Sequence, residues 1–200
     1  ETLTPPTVND DQWFVGAQGT MRPADELTAD LYLMLLHDDG LTPGTSANRF
    51  TLGTRWVWAC KPWELGTELA TQFGDQQGAD IPIAEAYAAH VHATHRFDGD
   101  AKPWLKAECN VASGDDPATA DQERFDNLFP TAHAHWGMMD LALWENLFNP
   151  MLQFGVKPCD RSEVALSWNF FRSMEAQDRF GGPNGTLVPS LATNSRAIGN

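Results

Sequence analysis

The residues Arg49-Phe50-Thr51-Leu52-Gly53-Thr54-Arg55-Trp56-Val57-Trp58, and then Trp63-Glu64-Leu65-Gly66-Thr67-Glu68-Leu69-Ala70-Thr71-Gln72-Phe73, decide the fold. In the first run Phe50, Leu52, Thr54, Trp56 and Trp58 share one parity, and Arg49, Thr51, Gly53, Arg55 and Val57 share the other. In the second run Trp63, Leu65, Thr67, Leu69, Thr71 and Phe73 alternate with Glu64, Gly66, Glu68, Ala70 and Gln72. Successive side chains of a strand point to opposite faces, so each run is a strand with one oily and one polar side. Between them Cys60-Lys61-Pro62 makes a tight connection.

The same period continues outward. Tyr87, Ala89, Val91, Ala93 and Phe97 oppose His90, His92, Thr94 and Arg96, with His95 on the oily parity. Leu105, Ala107, Cys109 and Val111 oppose Lys106, Glu108 and Asn110. Leu152, Phe154 and Val156 oppose Gln153 and Lys157, and Val164, Leu166, Trp168 and Phe170 oppose Glu163, Ser167 and Asn169. Two less regular extended runs occupy 12–20 and 27–37, while 76–85 reads irregularly. The pattern predicts an all-β chain of about eight strands.

Connection lengths sharpen this. Short turns fall at 21–26, 59–62, 98–102 and 158–161, and longer links fall at 38–46, 74–82, 114–149 and after 174. The two kinds alternate. In an antiparallel up-and-down meander, alternate connections lie at the same end, so one end carries tight turns and the other long loops. That is the layout of an outer-membrane-type transmembrane β-barrel. Aromatics follow the same division. Trp56, Trp58, Trp63, Phe97 and Trp104 lie beside the short turns, and Trp13, Phe50, Phe73 and Phe170 lie toward the long links, as two interfacial girdles would. A soluble sandwich with a Trp-rich core is the alternative that the pattern leaves open.

Composition excludes other classes. The 200 residues carry 27 acidic and 13 basic side chains, a net charge of −14. Nucleic-acid binding needs clustered Lys and Arg, so none is expected. With 42% apolar residues and 8 Trp the chain is not a disordered one. No apolar run approaches the roughly 18 residues of a transmembrane helix, a test that does not bear on β-barrels. The three cysteines, Cys60, Cys109 and Cys159, match no zinc or redox spacing and read as isolated thiols. The beginning, Glu1-Thr2-Leu3-Thr4-Pro5-Pro6, reads as that of a mature or partial chain.

Residues 114–149 break the strand rhythm. Met138 to Leu147 suits a short helix or two short strands, and the whole segment is expected to fold into the lumen of a barrel or cap it. The sequence Ala112-Ser113-Gly114-Asp115-Asp116, then Phe125-Asp126-Asn127-Leu128-Phe129-Pro130-Thr131, then His133 and His135 running into Gly137-Met138-Met139-Asp140, resembles the alginate-export family of outer-membrane β-barrels. Leu105-Lys106-Ala107-Glu108 before it and Gln153-Phe154-Gly155-Val156-Lys157-Pro158 after it resemble the same family's strands, over roughly 47–175. The resemblance implies a large, porin-like barrel of many more than eight strands. This chain would then be part of one, in a bacterial outer membrane, with lipid, lipopolysaccharide and a hydrophilic solute as partners. An acidic oligo- or polysaccharide is the implied solute, and a lumen rich in Arg and Lys would be expected for it.

The polar parity in fact mixes signs, with Arg49, Arg55, Arg96, Lys106 and Lys157 against Glu64, Glu68, Glu108 and Glu163. Arg49, Arg55, His90, His92, Arg96 and Lys106 are the residues expected to face the solute. His90 with His92, and His133 with His135, have spacings that suit a transition metal, but strand histidines are more often polar lining, and neither metal nor cofactor is expected. Asp115-Asp116 reads as solvated charge or a divalent-ion contact, and Asn184-Gly185-Thr186 is a chance-level sequon. No activated nucleophile or phosphate-binding loop is evident, so no enzyme is expected. The expected function is passive passage of a hydrophilic solute. A soluble carbohydrate-binding protein and a structural surface-layer protein are the alternatives.

Overall fold

The computed structural model describes residues 12–39, 46–76, 81–128, 142–178, 180–181 and 187–188. The His133/His135 pair, the Asn184 sequon and Met138 to Leu141 lie outside them. Eight strands form one antiparallel sheet in chain order: β1 (Gln12–Ala24), β2 (Leu27–Asp38), β3 (Ala47–Cys60), β4 (Trp63–Gln76), β5 (Ile81–Arg96), β6 (Trp104–Ala112), β7 (Leu147–Cys159) and β8 (Ser162–Asn169). Two residue pairs make a separate small ladder, β9 (Phe180–Gly181) with β10 (Leu187–Val188). The sheet is open, with β1 and β8 as its edges.

The turns fall where the alternation puts them. Asp25-Glu26, Lys61-Pro62 and Asp160-Arg161 each join two strands in two residues, and 97–103 joins β5 to β6. All of these lie at one end. The strand ends that 39–46, 77–80 and 113–146 connect lie at the other. The long segment expected over 114–149 therefore stops at 146. Leu147, Phe148 and Asn149 already pair with Ala112, Val111 and Asn110, because the polar parity of β7 begins with Leu147 and Asn149. No helix occurs at 142–146.

Register carries one parity through the whole sheet. Phe50 pairs with Phe73, Thr67 with Val91, Ala93 with Ala107, Leu105 with Phe154 and Phe154 with Leu166. One face is thus apolar throughout, and the described residues leave it uncovered: Val164 is 63% exposed, Leu166 76% and Leu69 53%. His95 lies on this face, 4.4 Å from the Trp63 ring and 4.3 Å from that of Phe97 (centroid distances). The irregular start of β5 is a bulge. Gln72 pairs with Ala86 but Gly74 with Ile83, so one extra residue enters β5, and Glu85 there has φ of 55°. The bulge switches parity, which puts buried Ile83 on the same face as Ala86 and Ala88.

On the polar face each of three large rings lies over a glycine directly across the ladder: Tyr32 over Gly53, His92 over Gly66 and Trp104 over Gly155. A Cβ at any of these glycines would collide with the ring. The absent side chain is what lets the ring lie flat on the sheet. Gly53→Val should destabilise the sheet by about 2 kcal/mol through overpacking against Tyr32. Tyr32→Ala should relieve part of that cost in the double variant, a coupling measurable by denaturant unfolding of the protein in detergent or bilayers.

Candidate functional site

The buried apolar core lies on the polar face, not between sheets. Ala70, Ala88, Ala112 and Leu147 form one row across β4, β5, β6 and β7, each paired with the next. Their small side chains leave a shelf, and Phe125 from the 113–146 segment seats on it, 4% exposed, edge-on to Trp144 with ring centroids 5.7 Å apart. Burying an aromatic ring of this size is a large apolar gain for the segment.

Backbone pairing explains why the segment lies down here. β5 runs seven residues past its pairing with β6, because Ala88 is the last residue to pair, with Ala112. The free edge of β5 would otherwise leave donors and acceptors unmet. The segment fills it. Gln122 N donates to the Pro82 carbonyl at 2.9 Å, Ala84 N to the Gln122 carbonyl at 3.1 Å, and Ser113 N to the Tyr87 carbonyl at 2.9 Å. Ser113 also holds the segment's start, middle and end, since its carbonyl accepts from both Phe125 N and Asn146 N.

Side chains of the sheet then clamp it. Gln72, 1% exposed, treats the Asp126 backbone as a strand would: its Oε1 accepts from Asp126 N and its Nε2 donates to the Asp126 carbonyl, both at 2.8 Å. Arg49 donates to Gln72 Oε1 at 3.0 Å and reaches Asp126 Oδ2 at 3.4 Å. Asp115 Oδ1 accepts from Glu123 N and Gln122 Nε2, and Asp178 joins Asp115 N to Arg124. Asp116 closes a local turn on Ala118. Asp115 is thus a fastening inside the protein, and no metal-holding cluster occurs among the described residues.

The six residues expected to face the solute, Arg49, Arg55, His90, His92, Arg96 and Lys106, all lie on the polar face. They do not form one group. Arg49 belongs to the clamp, and Arg55 reaches Asp30 at 3.4 Å. His90 donates through Nδ1 to Asn110 Oδ1 at 2.6 Å, and His92 Nδ1 meets His90 Nε2 at 2.9 Å. The Asn110 amide points this way because its Nδ2 donates to Glu108 at 2.9 Å. That chain fixes both imidazoles as a lateral hydrogen-bond network.

His92, Arg96 and Lys106 instead converge on a hollow of about 560 Å³ at the short-turn end. Lys102, Trp104 and Lys157 complete it, residues not among the expected six. Four basic side chains there face two carboxylates, Glu64 and Glu163. Arg96 is held by Glu64 at 3.2 Å, Lys106 by Glu108, and exposed Lys102 by Asp160. The Lys157 ammonium makes no ion pair among the described residues. Trp104 was expected in the short-turn girdle, but its parity is that of Lys106, and its ring lies on the polar face. The parity itself was the available signal. A second hollow, about 420 Å³, lies between β1–β4 and the seated segment.

A sequence model of the alginate export family matches residues 2–200. No curated protein matches the chain. The family match extends well beyond the 47–175 over which the motifs were recognised.

Phe125→Ala should cost the seated segment about 3 kcal/mol of local stability, and so speed protease cleavage within 113–128 roughly a hundredfold. Mass mapping of limited-proteolysis fragments measures this, with cleavage in the β3–β4 hairpin as the internal reference.

Proposed function

Because the chain belongs to the alginate export family, we propose that it forms part of the wall of an outer-membrane β-barrel, and that acidic saccharide passes along its polar face. The apolar face then meets lipid, with Trp56, Trp58 and Trp63 at one interface and Trp13, Phe73 and Trp168 toward the other. An uncovered apolar surface of this extent is stable only against an apolar surrounding. The polar face becomes the lumen, and the segment seated on the Ala70–Ala112 shelf narrows it. Passage needs no bond-making step, so the reading is transport without catalysis.

The observation that carries the solute class is the hollow at the short-turn end. Its lining is basic in excess, although the chain as a whole is strongly acidic. A carboxylated sugar unit finds there the Lys157 ammonium, without an ion pair among the described residues, and a guanidinium at Arg96, the latter half-exposed at 52%. The indole of Trp104 offers an apolar surface for the C–H face of the ring. Exposed cations in a wide hollow bind weakly and release quickly, which conduction requires. Lysine and arginine differ in their use here: Arg96 is pinned by Glu64, while Lys157 keeps its freedom to follow a moving charge.

The full-length protein in planar bilayers should show a pore that short uronate oligomers block from one side. Arg96→Gln with Lys157→Gln should weaken that block about tenfold and shift ion selectivity toward cations. Absence of a pore, or block unchanged in the double variant, would refute this function.

A further inference from the structure

The second hollow has the opposite chemistry. Its wall is made by Phe14, Tyr32, Phe125 and Trp144, from two strands and the seated segment. Its charged lining is three carboxylates, Asp30, Glu68 and Asp126, against one cation, Arg55.

Two of those carboxylates are already matched. Asp30 takes Arg55 at 3.4 Å and the Thr20 hydroxyl at 2.6 Å, and Asp126 takes Arg49 at 3.4 Å. Glu68 is different. It lies directly across the ladder from Arg55, yet Arg55 turns the other way to Asp30. Among the described residues the Glu68 carboxylate receives only the Tyr32 hydroxyl, at 2.7 Å. The other partly buried or buried strand glutamates of this face have cations, Glu64 having Arg96 and Glu108 having Lys106, while Glu163 is exposed to solvent.

A carboxylate with one neutral donor, half-buried beside aromatic rings, is under-compensated for its loss of water. The group that best completes it is a cation that also lies against ring faces. Aromatic quadrupoles attract cations, most of all weakly hydrated ones. The volume of about 420 Å³ suits a small organic molecule.

We infer that this hollow binds an organic monocation with a flat apolar body, such as an ammonium group on an aromatic ring. The ammonium rests at Glu68, and the ring lies among Tyr32, Phe125 and Trp144. This site is separate from the basic hollow at the short-turn end and does not depend on the solute assigned there. It gives the polar face a second, oppositely selective station.

The test is calorimetric titration of the whole protein in a nonionic detergent, with benzyltrimethylammonium as probe. Saturable one-site binding is expected. Tetramethylammonium, with the charge and no ring, should bind more weakly, and toluenesulfonate, with the ring and the opposite charge, should show no saturation. Glu68→Gln keeps an acceptor for Tyr32 and should weaken probe binding about tenfold. Trp144→Leu, which lies outside the strands and leaves the sheet intact, should weaken it about fivefold. Saturable binding of toluenesulfonate, or full-affinity probe binding in either variant, would overturn the assignment, as would no binding by the unaltered protein. Neither result bears on uronate block of the pore, so this site and the transport function fail independently.

Discussion

The structure depends on the unbroken backbone ladder from β1 to β8. Each interior strand is hydrogen-bonded on both sides, so the parity of one strand dictates that of its neighbour. A slip of one residue anywhere would carry every side chain beyond it to the wrong face. The irregularities therefore sit at strand ends: between Met21 and Ala24, between Gln72 and Gly74, and between Val156 and Cys159. The central rows run without interruption. The polar and apolar faces, the shelf and the two hollows all follow from that continuity.

The seated segment is a consequence of strand length. β6 stops at Ala112 while β5 continues toward Ile81, and the difference leaves an exposed edge. Chain that has just left β6 at Ser113 is the nearest source of backbone partners. Once Gln122 pairs along that edge, Phe125 arrives over the row Ala70, Ala88, Ala112 and Leu147. A larger residue at any of the three alanines would lift the ring away. The protein thus builds its one described buried cluster from a loop on a polar face, because its apolar face is committed elsewhere.

Much of this was legible in the sequence, and what was not has physical reasons. Parity over 49–73, 87–97 and 105–111 and the alternation of short and long links are local properties, so they indicated the strands, the hairpins and the face of Arg55, His92 and Lys106. The motif residues Ala112, Ser113, Asp115 and Phe125 that carried the family resemblance are the ones that fasten the segment to the sheet. Three things were hidden. The bulge at Glu85 inverts parity, so β5 looked irregular just where it begins. Trp104 was grouped by its nearness to a turn although its parity already put it on the polar face, and only its seat over Gly155 depends on a register that no local pattern reveals. Asp30 and Tyr32 lie in β2, whose oily side chains spill onto both faces at Met34 and Leu36 and blur its amphipathy.

Charge shows most clearly why counting is not enough. Along the polar parity the basic and acidic residues first noted nearly cancel, which suggested a lumen without preference. Pairing redistributes them. Arg49 and Asp126 neutralise each other in the clamp, and Arg55 is drawn to Asp30 and away from Glu68. Among the described residues, what remains without an ion pair is Lys157 and the exposed Glu163 at one end, where cations are in excess, and the half-buried Glu68 nearer the seated segment. Since the potential a solute meets is set by unpaired charge close to its path, a face that is balanced in composition becomes two hollows of opposite sign. The sorting is done by which side chain each ion can reach, and that is decided by register.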